Sequence, residues 1–277
     1  RSRLGFWTHD LKRTESMLTI TYSLGWGLAM GTTAMIARRV GEGDKEGASI
    51  AGVQSIYLAL IVSIPIMLTG IFYSEDLLRL MGASEDIINE GSGYTKIALG
   101  SNIIVILLFL INGIFRGAGD AALAMRSLWL ANILNMVLDP LFIFGIAFFP
   151  HLGIQGAAVA TALGRTAGIV YQLYHLKKGK GLIKIHKNNW HFKPDILLKL
   201  VKLSSGVTAQ FIIGSASWIF LMRIISTFGS TALAGYTIAI RIVIFTLLPA
   251  WGFSNAAATM VGQNLGAGHV ERAEKSV

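Results

Sequence analysis

Asp139 is the one carboxylate inside any long apolar stretch of this 277-residue chain. On its own stretch, read as Ser127 to Phe149, it falls near the middle. An ionised carboxylate at such depth costs about 2.5–3.5 kcal/mol on insertion scales, so it marks a functional site or a structural ion pair. Pro140 follows directly and removes a backbone donor, freeing a carbonyl beside the carboxylate. Asn135 lies one helical turn before Asp139 and shares its face. Thr161, on the next and antiparallel stretch, falls at similar depth. Asn112, on the preceding one, reaches that depth if its helix runs on past Arg116 toward Asp120. Carboxylate, amide and hydroxyl oxygens suit a hard cation such as sodium, and the carboxylate can equally hold a proton. Each amide taken singly also serves as glue between helices. Arg165 is the competing partner, four residues after Thr161 and at nearly the depth of Asp139. It either neutralises Asp139 or extends its head toward the cytoplasmic side.

These groups need helices to carry them through an apolar medium. Seven stretches have roughly the 20 residues required to cross hydrocarbon. They run at about 16–37, 51–73 (kinked at Pro65), 97–115, 127–149, 153–174, 204–228 and 232–263. Runs this long exclude a barrel of alternating strands. Composition agrees, with 53% hydrophobic and 14% charged residues and a mean hydropathy of +0.59. Cysteine is absent, which removes disulfides and thiolate chemistry.

The net charge of +9 would point to nucleic acid in a soluble protein, but here it sorts by side. Fifteen lysines and arginines fall on one side, among them Arg38, Arg39, Arg116, Arg126 and eight lysines between Lys177 and Lys202. Six fall on the other: Arg79, Lys96 and the N-terminal Arg1, Arg3, Lys12 and Arg13. The first side is therefore cytoplasmic, and no nucleic-acid partner is implied. The cytoplasmic segment 176–203 reads as a linker between two lobes. Its last part, Pro194 to Leu203, is patterned as a short interfacial helix or a solvated basic loop.

A duplication runs through the chain. The stretch WGLAMGTTAMIARRVGEGDKEGA from Trp26 returns as WGFSNAAATMVGQNLGAGHVERA from Trp251, a constant offset of 225 residues. Trp26/Trp251, Gly41/Gly266, Gly43/Gly268 and Glu46/Glu271 coincide. An even number of spans separates the copies, so both cross in the same direction, as in parallel repeats of transporters. Small residues at Gly156, Ala160, Gly164 and Gly168 form a stripe for close helix packing. Gly41-x-Gly43 and Gly117-x-Gly119 lack the following Gly-Lys-Ser/Thr of a phosphate loop. His186 and His191 have no further ligands near them in sequence, so no resident metal or cofactor is expected.

Several motifs carry a family resemblance. NMVLDPLFIFGIAFFPHLGIQGAAVAT (Asn135–Thr161) resembles the fifth and sixth helices of the multidrug and toxic compound extrusion (MATE) transporters. FLINGIFRGAGD (Phe109–Asp120) is similar to the end of their fourth helix, and ARRVGEGDKEGA and VGQNLGAGHVERA to the paired ends of their second and eighth. The resemblance covers the chain from about Thr14 onward. It implies an all-α integral membrane bundle of parallel six-helix repeats, with the first lobe nearly complete and the second truncated. The lobes would be 1–175, lacking its first helix and that helix's carboxylate, and 204–277. It further implies a monomeric antiporter in the cell membrane, surrounded by lipid. Such a protein exports small cationic amphipathic compounds against an inward flow of sodium ions or protons.

One subgroup of the family places Asn, Asn, Asp and Thr where this chain has Asn112, Asn135, Asp139 and Thr161. Some members carry a glutamate where the span at 204–228 offers Gln210, so a second-lobe cation site of that kind is not expected. Two other readings stand beside the exporter. A lipid-linked oligosaccharide flippase of the same superfamily would need several deep positive charges, where only Arg165 is deep in the sequence. A seven-span receptor fits the span count but has no reason to begin a second copy at its last helix. No nucleophile–base or metal-ligand constellation suggests an enzyme.

Overall fold

Three tight turns of one design set the course of the chain. Gly43, Gly119 and Gly268 adopt φ of +74°, +84° and +76°, a left-handed conformation that glycine enters without a Cβ penalty. Each ends a helix, and the residue after it starts the next. The Asp44 carboxylate accepts from the Gly47 N–H at 2.7 Å, and Asp120 from the Leu123 N–H at 3.1 Å. Both are side-chain N-caps. His269 takes the third such position with nearly the backbone angles of Asp44. The Gly-x-Gly pairs are thus helix stops.

The computed structural model describes residues 3–83, 85–146, 148–178 and 183–277, and of residues 3–16, 86, 87, 90, 187 and 230 only the backbone. In chain order the helices are α1 (Arg3–Gly41), α2 (Lys45–Phe72), α3 (Ser74–Leu80), α4 (Glu85–Gly100) and α5 (Asn102–Gly117). Then follow α6 (Ala121–Phe144), α7 (Ile154–Lys178), α8 (Pro194–Ser226), α9 (Ser230–Gly266) and α10 (Val270–Glu274). No strand occurs among the described residues. The basic side chains of Arg1, Arg3, Lys12 and Arg13, which the sequence places outside, lie beyond the described side chains, as does Lys180 of the linker.

Five helical stretches are long and apolar enough to cross a membrane: 45–72, 91–117, 121–144, 194–226 and 231–266. Two of the seven expected spans, now α1 and α7, are helical but less apolar. Both pack among several other helices, so their surfaces carry Gly, Thr, Ser and Arg in place of lipid-facing Leu and Ile. Ser101 joins α4 and α5 into one crossing that begins well before the expected Ile97.

Two expectations change. The segment Pro194–Leu203 is not a separate interfacial helix, because α8 continues unbroken from Pro194 to Ser226. The linker between α7 and α8 is not a free loop either. Buried Gln54 of α2 donates to the His191 carbonyl at 2.8 Å and accepts from the Lys193 N–H at 3.0 Å. Tyr57 donates to the Trp190 carbonyl, Ser49 to that of Lys184, and Ile183 is buried in the core.

The core lies between α1, α2 and α5, around Ile36, Ile56, Ile111 and Ile114. Glycines let α1 and α5 touch backbone to backbone. A Cβ on Gly113 would stand 2.6 Å from the Ala29 carbonyl oxygen, and one on Gly117 2.7 Å from that of Thr33. The constant register of 84 residues makes the two helices parallel.

The duplicated stretches meet each other at their C-terminal ends. A Cβ on Gly41 would run into the Gln263 carbonyl, and one on Gly266 into that of Arg38. Adding the 225-residue offset to Arg38 and Gly41 gives Gln263 and Gly266, so each contact is the symmetry mate of the other. Ala37 and Gly262, also 225 apart, face one another directly. The α1–α9 crossing is therefore a pseudo-twofold contact of the kind a parallel repeat requires.

A candidate ion site between α6 and α7

Small residues decide where α6 and α7 meet. A Cβ on Gly164 would lie 2.6 Å from the Ala131 carbonyl oxygen and 3.1 Å from the Asn135 nitrogen. Gly156 presses in the same way on the Phe142 carbonyl, and Gly168 on that of Ser127. The expected stripe thus faces α6, and its close approach sets Thr161 beside Asn135.

Asn135 is the hub of the resulting cluster. Its Nδ2 donates to Asp139 Oδ1 at 3.0 Å and to Thr161 Oγ1 at 3.1 Å. One amide group spends both protons on the two oxygens. Pro140 takes away the N–H that would bond the Met136 carbonyl one turn earlier. Asp139 is half-buried and has no cationic partner among the described residues.

Depth differs from the sequence reading. Gly145, at φ +66°, ends α6 at Phe144 and not at Phe149. Asp139 therefore stands about 8 Å from the Phe144 end of its helix, at 1.5 Å per residue, and not at its middle. Thr161, seven residues into α7, lies about 10 Å from the same end.

Asn112 is not a member of this cluster. Its Oδ1 accepts from Ser127 Oγ at 3.3 Å, and Ser127 Oγ in turn accepts from Gln172 Nε2 at 2.9 Å. All three side chains are buried. The helix expected to carry Asn112 toward Asp139 stops at Gly117, so Asn112 sits about 8 Å from the turn at Gly119. Asn135 is fourteen residues, about 21 Å, beyond the start of α6 at that same turn.

Arg165 does not pair with Asp139. Its guanidinium lies 5.7 Å from the centre of the Tyr22 ring and donates to the Tyr22 hydroxyl at 3.4 and 3.5 Å. Nothing in its own span pointed to Tyr22; the only clue was a Tyr and a Trp four residues apart on the Gly-rich α1. Arg116, counted by sequence with the cytoplasmic charges, also turns inward. It is level with Thr32 in the α1–α5 register, yet its guanidinium lies 5.8 Å from the centre of the Trp26 ring. Trp26 is six residues, about 9 Å, further from the turn at Gly119.

Comparison with known proteins gives the family. The sequence profile of the MatE family matches residues 14–141 and 207–277, well over half of the chain. The chain belongs to the MatE family. A probable multidrug resistance protein, YoeA of Bacillus subtilis, is 25% identical to it over 263 residues, 94% of this chain and 56% of YoeA. An FAD transporter of Shewanella oneidensis is 26% identical over 95% of this chain and 58% of its own length.

Among solved structures, an outward-facing multidrug resistance MATE transporter superposes with a TM-score of 0.87 at 30% identity, covering 97% of this chain and 59% of that one. The MatE chain thus spans little more than half the length of the relatives it matches. It is a multi-pass membrane protein of a transporter family, which does not favour the receptor reading.

Proposed function

We propose that the MatE chain serves a cation-coupled antiporter that carries amphipathic organic compounds, cationic drugs among them, out across the cell membrane. Sodium or a proton is the coupling ion, and the protein works as a monomer. The observation that carries this reading is the Asp139–Asn135–Thr161 cluster, a membrane carboxylate tied to neutral oxygen-bearing groups and, among the described residues, without a cationic partner. An ion pair would satisfy the carboxylate permanently; neutral neighbours leave its charge for an exchangeable cation.

In the arrangement seen, the Asn135 NH2 group lies against the two oxygens a cation would use. Turning that amide over presents its oxygen, so carboxylate, amide, hydroxyl and the Met136 carbonyl form a set suited to a hard cation. A proton on Asp139 achieves the same neutralisation with no rearrangement of Thr161. Loading and unloading then change the cost of exposing the site on each face, which is what coupling requires. Relatives bear names that range from multidrug resistance to FAD transport, so support for the substrate class comes from the family as a whole. The test is efflux of a cationic dye from vesicles under an imposed inward sodium or proton gradient. Efflux that ignores both gradients would overturn the coupling.

A further inference from the structure

Among the described residues, two guanidinium groups inside the helix bundle pair with no carboxylate. The ion pairs among the described residues all lie at the turns, between Arg38 or Arg39 and Glu42 or Asp44, and between Arg79 and Asp76 or Glu85. Arg116 and Arg165 are in none of them. Arg116 Nε is buried and makes no hydrogen bond, and Arg165 has only the two long bonds to the Tyr22 hydroxyl. A side chain one residue from the end of α5 has a short route to water at that end. Arg116 instead points away from it, so simple snorkelling does not explain its position.

What holds both arginines is one aromatic wall. Tyr22 and Trp26 are one turn apart on α1, and Phe109 of α5 lies against both, with ring centres 6.2 and 5.3 Å away. Phe211 of α8 extends the wall at 6.4 Å from Trp26. Trp26 remains 37% exposed, so the wall is open to an approaching molecule. A guanidinium resting on a ring face is oriented by it while keeping most of its five donors unspent. That fork matches a carboxylate or phosphate, and the rings beside it match a flat apolar body.

We propose that Arg116 and Arg165, with Tyr22, Trp26 and Phe109, form a recognition surface for planar aromatic compounds that bear a carboxylate or phosphate. The proposal rests on the export reading and deepens it by naming an anionic aromatic class among the amphipathic compounds carried. Asp139 takes no part in this surface, since Asn135 holds it on α6.

Equilibrium dialysis against the detergent-purified chain tests it, with riboflavin 5′-phosphate and riboflavin as probes. The two share a ring system and differ by one phosphate. The phosphate form should bind at least about tenfold more tightly, as expected for a charge-assisted contact in a desolvated site. Arg116→Met and Arg165→Met should each remove about tenfold of that preference and leave riboflavin binding within about twofold. Arg116→Lys and Arg165→Lys should restore part of it, which guards against variants that merely misfold.

Equal affinity for the two flavins, or equal loss of both in the Met variants, would overturn the proposal. So would displacement of the bound phosphate form by phosphatidylglycerol, which would assign the arginines to a lipid headgroup. Binding is read without any ion gradient, so failure of gradient-driven efflux bears on the export reading alone.

Discussion

Asn135 holds the candidate ion site together, because a single NH2 group serves both Asp139 and Thr161. Asn135→Ala therefore removes two hydrogen bonds at once, whereas Thr161→Ala removes one. Sodium-22 binding to the purified chain should fall further in Asn135→Ala than in Thr161→Ala, by about three- to tenfold for a difference of one neutral bond. The reverse order would place the ion elsewhere. Arg165 rests on Tyr22 and not on Asp139, so Asp139→Asn and Arg165→Met should act independently. Their effects on melting temperature should add, and coupling above about 0.5 kcal/mol would revive the ion pair. The Asn135–Asp139 bond was legible in the sequence because a four-residue step on a helix fixes a shared face. Asn112 falls short in depth because its helix stops at Gly117, and the partner of Arg165 stayed open because depth says nothing of rotation about the helix axis. Ser127 and Tyr22, which hold those two, lie on neighbouring helices that no spacing rule connects to them.

The helix pair α6–α7 exists to make that close approach possible. Gly164 sits against the Ala131 carbonyl and the Asn135 backbone, so any side chain there must push two backbones apart. Gly164→Leu should lower the melting temperature of the solubilised protein, at a cost of about 1–3 kcal/mol for overpacking. It should also separate Thr161 from Asn135 and weaken ion binding. Unchanged melting would mean the stripe faces lipid. Sequence showed this stripe correctly, since four-residue spacing of small residues has one geometric meaning. It did not show where α6 ends. The apolar run continues past Gly145 into Phe148 and Phe149, and only the positive φ at Gly145 marks the turn. Hydropathy also missed the start of α8, whose first turns carry lysines yet continue the same helix.

Across the whole molecule, the 225-residue repeat becomes a physical contact, with α1 and α9 crossing at symmetry-related glycines. The chain has no cysteine, so Ala37→Cys/Gly262→Cys is a clean reporter of that crossing. The two positions face each other closely enough for a disulfide once the helices part by about 1 Å. Oxidation in membranes should lock the pair and change its electrophoretic mobility after proteolysis between the two sites. No crosslink would show that the C-terminal ends do not meet there. The crossing lies at one end of the helices and the candidate ion cluster near the other, the arrangement the proposed carrier would use to load its ion from the side away from the crossing. The most direct test of that account is ion-driven dye efflux from membrane vesicles with Asp139→Asn, which keeps the size and fixes the neutral state. The variant should insert and melt like the parent, within about 1 kcal/mol, yet lose the acceleration of efflux given by an inward sodium or proton gradient. Parental acceleration in Asp139→Asn vesicles, under either gradient, would contradict the assignment of Asp139 as the coupling residue.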